Sequence, residues 1–183
     1  MKKLKVTIIG YGGMGSFHAK LIQAHPEVEV HGIFDIMESR QQAGEADGYS
    51  AYASLEEALN DACADTILIA TPNDVHKEIA VQALEAGKHV ICEKPVTLNS
   101  EELSEIMHTA KEHERVFMVH QNRRWDSDFQ MVKDLYENRK IGEVFHIESR
   151  VQGANGIPGD WRHLKAQGGG MLLDWGVHLL DQL

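Results

Sequence analysis

The chain is poor in cysteine and in basic residues, and it has no long apolar run. Its two cysteines, Cys63 and Cys92, lie in stretches that read as ordered core and show no spacing suited to zinc or to a disulfide framework. That pattern suits the cytoplasm. No stretch approaches the ~18 consecutive apolar residues of a membrane span, so a membrane is not an expected partner. The opening MKKLKVTIIG is basic and then apolar, but its apolar run is too short for a signal peptide and no small-residue cleavage site follows. Against 28 acidic side chains stand 18 basic ones, a net charge of -10 that would repel a phosphate backbone and argues against nucleic acid. The eleven histidines are scattered and none pairs with cysteine at a metal-ligand spacing, so no metal is expected. Repeats and low-complexity tracts are also missing. Apolar residues at 43% and charged residues at 25% are ordinary for a globular chain, and 183 residues hold one complete domain and the start of another.

What is present is an alternation of apolar, often β-branched runs with helix-length amphipathic stretches, the pattern of a parallel sheet fed by crossover helices. VTIIG (6–10), VEVHGIFD (28–35), DTILIA (65–70), HVICE (89–93) and VFMVH (116–120) are the expected strands. MGSFHAKLIQAH, MESRQQAGEA, LEEALNDA, NDVHKEIAVQALEAG and residues 99–113 are the expected helices, the last with Leu103, Ile106, Met107 and Ala110 on one side. Ser54 with Glu57 reads as a capping box, Gly87 as a left-handed helix stop and Pro26 as the close of the first helix. After Gln121 the texture changes. SDFQMVKDLYENRK predicts a helix ended by Gly142, and VFHIESRV (144–151) alternates as a strand with one buried face would, before the turn-rich QGANGIPGD.

GYGGMG (10–15) fits G-x-G-x-x-G, with a strand ending at Gly10, a helix opening near Met14 and Asp35 ending the next strand, 20 residues after Gly15. Gly10 permits the tight turn, Gly12 lets backbone approach a pyrophosphate, and Gly15 lets helix and strand pack closely. The helix start then offers free N–H groups and partial positive charge to the anion, with Gly13 and Met14 at its head. Asp35 would accept from the adenosine ribose hydroxyls and repel a 2′-phosphate. Arg40 is the nearest arginine, and NAD is preferred over NADP.

CEKPV places Lys94 directly after a buried strand, beyond whose carboxyl end ligands bind in open parallel sheets. Pro95 fixes the local backbone. ATPNDVH (70–76) leaves the neighbouring strand at the same rim, so Thr71, Pro72, Asn73 and His76 are candidates to border the nicotinamide; His76 also reads as a plain helix side chain. Near the other end, GGGMLLDWGVHLLD carries Asp174 and His178 four residues apart, on one face of a helix. Its three glycines would let the backbone enter close to its neighbours. Lys94 also reads as a surface lysine paired with Glu93, and Asp174 as a helix-start acid with His178 partly buried.

Together the glycine loop, ATPNDVH, CEKP and GGGMLLDWGVHLLD, in that order, resemble the Gfo/Idh/MocA oxidoreductases, named after glucose-fructose oxidoreductase and inositol dehydrogenase. The resemblance implies an α/β fold. A doubly wound Rossmann sheet over residues 1–120 would be followed, over 121–183, by the start of an α+β open-faced sheet domain. It implies hydride transfer between NAD or NADP and a carbinol carbon of a sugar, inositol or related polyol. It maps the catalytic lysine onto Lys94 and the catalytic pair onto Asp174 and His178, and brings Glu93 near the nicotinamide ribose. Arg123, Arg124, Trp161 and Arg162 match substrate-contact positions less tightly. Histidine, with an unperturbed pKa of about 6.5, suits a general base, and a charged Lys94 would stabilise negative charge on the same oxygen. Family members continue with further strands, so the second domain is expected to be incomplete and the chain to form a homo-oligomer through its uncovered half-sheet. The competing expectation is a dinucleotide-binding module without turnover, or an inactive shortened subunit.

Overall fold

The computed structural model describes residues 3–153 and 159–183, which leaves the centre of QGANGIPGD outside the described residues. The chain forms two compact units, Met1–His120 and Gln121–Leu183.

The first unit is a five-stranded parallel sheet in the order β2-β1-β3-β4-β5, built from β1 (Leu4–Ile9), β2 (Val28–Phe34), β3 (Thr66–Ile69), β4 (His89–Glu93) and β5 (Phe117–His120). Outside β2, Ala51 makes one parallel bridge to Ile33, a sixth strand reduced to a single rung. Because alternate side chains point to opposite faces, the sheet divides its apolar residues between two cores. Ile9, Ile67, Ile69, Val90 and Cys92 pack with Ala58 and Leu59 of α3 (Leu55–Asn60), with Ile79, Ala80, Ala83 and Leu84 of α4 (His76–Glu85), and with Ile106 and Ala110 of α5 (Ser100–Glu112). Val6, Ile8, Ile33 and Leu68 pack on the other face with Tyr11 and with Ala19 of α1 (Gly13–Gln23). Each fully buried isoleucine contributes about 1.5–3 kcal/mol. Helices on both faces are what makes every central strand read as a continuous apolar run.

Local chemistry sets the helix ends. Ser54 Oγ accepts from Glu57 N–H at 3.1 Å while Glu57 Oε2 accepts from Ala53 N–H at 2.8 Å, a capping box displaced by one residue on its return bond. Asn99 caps α5 in the same manner through Glu102 N–H. Met107, expected on the buried side of α5, is 59% exposed, and Thr109 takes its place in the interior. Among the described residues no helix is long and apolar enough to cross a membrane.

The second unit holds α6 (Ser127–Glu137), a run of short 3-10 turns, a π-helical turn at Leu172–Gly176 and α7 (Val177–Asp181). The strand expected over 144–151 does not form: residues 142–153 have no regular structure. A strand is stable only beside another, and no second strand lies within the described residues of this unit. The helix expected to carry Asp174 and His178 is present but opens into the wider π turn around Asp174. Such turns occur mostly as single insertions in helices.

Candidate functional site

The glycine loop closes where the sheet changes direction between β1 and β3. Gly10 N–H donates to Phe34 O at 2.7 Å, and Gly10 adopts φ +93°. A Cβ there would lie 2.7 Å from Ala70 O, so only glycine fits. At Gly15 a Cβ would lie 1.9 Å from Gly10 O, which lets α1 start hard against the end of β1. Gly12 caps α1 with no side-chain hydrogen bond, the first turn carries no acid, and Gly13 faces open space. Among the described residues no carboxylate is recorded on the leading N–H groups of α1, including that of the half-buried Met14, the arrangement an anion needs. Thr71 Oγ1, on the adjoining loop, is buried without a hydrogen-bond partner among the described residues. Both features fit a dinucleotide.

Asp35 is buried, and its carboxylate organises this loop from beneath. Oδ2 accepts from Tyr11 N–H at 2.8 Å and from Arg40 Nη1 at 3.4 Å, while Oδ1 accepts from Met37 N–H at 2.9 Å. Arg40 thereby lies beside Gly12, its Nη1 3.4 Å from where a Cβ would stand.

Thr71, Pro72, Asn73 and Lys94 follow β3 and β4 at this same carboxyl edge, and the Lys94–Pro95 peptide is cis. Two of the expected cofactor contacts are instead turned inward. His76 is fully buried, with Nδ1 2.9 Å from Pro95 O and Nε2 3.0 Å from Thr71 O. Burial keeps its pKa below the ordinary value against the pull of those carbonyls, and a neutral ring donates through one nitrogen only. His76 thus sits between the loops after β3 and β4 and donates to one of these two carbonyls. Glu93 is likewise enclosed: Oε1 accepts from His18 Nε2 at 2.7 Å and His120 Nδ1 at 3.0 Å, and Oε2 accepts from Lys94 N–H at 3.2 Å. Burial would raise its pKa, but the hydrogen bonds from His120 and His18 bring it down to about 2. Sequence reading passed over His18 and His120. Their signals were a histidine one turn after Gly15 and another closing a strand at the ligand-bearing edge.

Within the second unit the residues singled out by sequence gather together. Arg162 Nε lies 3.7 Å from Asp174 Oδ1, and its guanidinium stacks 4.6 Å over the Trp161 ring. The Arg123 guanidinium sits 4.3 Å over Trp175, whose ring meets the buried His178 edge to face at 5.9 Å. Arg124 turns away to make a two-pronged pair with Asp181 at 2.7 and 2.5 Å. Gly168 and Gly170 take positive φ, and a Cβ on Gly169 would lie 2.2 Å from Arg162 O, so the three glycines are what bring Arg162 against the helix of Asp174.

Known proteins carry the same layout. Residues 4–121 match the oxidoreductase family with an NAD-binding Rossmann fold, and residues 129–183 match the GFO/IDH/MocA C-terminal domain. The scyllo-inositol 2-dehydrogenase (NADP(+)) IolW of Bacillus subtilis is 33% identical over 98% of this chain and 50% of its own length. A crystal structure of an NAD-binding protein from Listeria innocua superposes with a TM-score of 0.97 at 61% identity, over 99% of this chain and 54% of that one. GenD2 from gentamicin A biosynthesis, solved in complex with NAD, gives a TM-score of 0.88 at 28% identity, over 100% of this chain and 53% of that one. The chain spans about half the length of the curated relatives it matches. With its glycine loop, its parallel sheet and both matched segments in order, this chain belongs to the Gfo/Idh/MocA family of oxidoreductases.

Proposed function

We propose that the chain is the cofactor-binding portion of an NAD-dependent dehydrogenase acting on a CH–OH group of a sugar, inositol or related polyol. The observation that carries this reading is the sharing of one sheet edge by the uncapped glycine turn and Lys94. The backbone of Gly10, Gly12, Gly13, Met14 and Gly15 would hold the pyrophosphate, Asp35 the adenosine ribose, and the Thr71–Asn73 loop would border the nicotinamide. When bound, NAD supplies the hydride acceptor.

His178 takes the proton from the substrate hydroxyl, Lys94 stabilises the negative charge that develops on that oxygen, and Asp174 holds a neighbouring hydroxyl or orients the imidazole. Arg123, Trp161 and Arg162 contact the polyol. Replacing either Lys94 or His178 should lower turnover, as for groups that carry charge or a proton in the transition state. The acid at position 35 favours NAD over NADP. The apolar residues left uncovered in the second unit favour a homo-oligomer.

The test is a titration with NADH followed by a polyol panel read at the nicotinamide absorbance. Saturable binding with turnover of one polyol supports the dehydrogenase. Binding without turnover supports a dinucleotide-binding module. Absence of NADH and NADPH binding removes both.

A further inference from the structure

Three donors converge on a carboxylate that keeps only 6% of its surface exposed. Glu93 Oε1 receives His18 Nε2 at 2.7 Å and His120 Nδ1 at 3.0 Å, and Oε2 receives the Lys94 N–H at 3.2 Å. The two rings meet edge to face with centroids 4.6 Å apart. His18 comes from α1, while Glu93 and His120 are register partners that close β4 and β5. A buried carboxylate keeps its charge only where donors replace water, and here the protein supplies all of them. Turning Glu93 outward would leave the buried His18 N–H unsatisfied and take the acceptor from the part-buried His120.

The same ligand atoms lie within 4.8 Å of one another, a spacing that also admits a divalent ion. The contact lengths decide between the two. At 2.7 and 3.0 Å they are charge-assisted hydrogen bonds, whereas a tetrahedral ion with bonds of about 2.1 Å holds its ligand atoms roughly 3.4 Å apart.

We propose that His18 and His120 are positioning residues for Lys94: they lock the Glu93 carboxylate, which fixes the main-chain N–H of Lys94 at the end of β4. His76 braces the following residue through Pro95 O. The inference rests on Lys94 being the reacting cation of the proposed dehydrogenase. It requires His18 to carry its proton on Nε2 and His120 on Nδ1.

Two pairs of variants and one spectrum test it on the full chain. His120→Asn keeps an N–H donor where Nδ1 stood and His18→Gln keeps one where Nε2 stood, while His120→Leu and His18→Leu remove the donors. In both leucine variants the Lys94 amide should exchange with solvent about tenfold faster, and in the amide variants it should return to within about threefold of the parent, as expected for a hydrogen bond to a charged group. The nitrogen-15 spectrum of the unaltered protein should place protons on His18 Nε2 and His120 Nδ1. Unchanged Lys94 exchange in folded leucine variants overturns the proposal. So does the opposite tautomer of either ring, which needs no variant to fold. One equivalent of Zn²⁺ held by the unaltered protein in equilibrium dialysis and lost in His120→Leu would make the cluster a metal site instead. Undiminished hydride transfer by Lys94→Ala would defeat the functional reading while leaving the exchange result standing.

Discussion

The two units respond differently to the same kind of sequence signal. In the first, five strands and the helices on both faces bury Ile8, Ile33, Ile67 and Ile69 completely. In the second, α6 carries Phe129, Met131, Val132, Leu135 and Tyr136 at helical spacing, yet no described apolar side chain after residue 120 is buried. An open groove of 1110 Å³, lined among others by Val132, Tyr136, Ile147, Trp175 and His178, remains where a core would be. Amphipathic spacing makes a helix; a core also needs a second layer to close on it. The first unit contains both layers, and the described part of the second contains one.

Substitutions can break or sharpen that contrast. The largest effect is expected at Lys94, on the closed unit: Lys94→Ala should lower turnover by about 10²–10⁴, with NADH affinity unchanged by fluorescence titration. Next come the cores. Ile67→Ala should cost about 2–5 kcal/mol in urea unfolding, while Val132→Ala, on the open unit, should stay within about 0.5 kcal/mol. Comparable losses at the two sites would erase the distinction.

The pH dependence should also separate them. Glu93 falls from an ordinary 4.5 to about 2 in the folded state, so its stabilisation is complete above the unfolded value and lost as pH falls from there toward 2. On the order of 2–3 kcal/mol should disappear in that window, and Glu93→Gln should flatten it. The Asp134 carboxyl of α6 is also lowered, by Lys140, but it is solvent-exposed and should leave no trace in the same titration. The smallest change concerns cofactor choice. Asp35→Ala should weaken NAD more than NADP, by about tenfold in their ratio, because it removes the ribose acceptor and releases Arg40 toward a 2′-phosphate. Equal losses for the two cofactors would reduce Asp35 to a loop organiser.

What sequence could foretell follows the range of the interactions involved. β4 was expected at 89–93 and forms at His89–Glu93. The glycine turn, the Ser54 cap and the Gly87 stop also appear where expected, because each is decided by residues within a few positions of one another. The strand over 144–151 was misjudged because its alternation describes one face only and says nothing of the neighbour it must pair with. His76 reads from sequence either as a border of the nicotinamide or as a plain helix side chain, and Glu93 enters the site only through the family resemblance. Their actual partners, Thr71 and Pro95 for one and His18 and His120 for the other, are set by how helices dock on the sheet. His18 stands 75 residues from Glu93, beyond any local pattern.

The missing methyl of Gly15 leaves room for the Gly10 carbonyl. His18 rides one turn further along the same helix and reaches across the sheet to the end of β4. A side chain at position 15 would act as a wedge, lifting α1 off β1 and drawing the imidazole out of reach of its acid. The absence of a single carbon thus governs two points on one sheet edge at once, the cradle for the anion and the seat of the lysine.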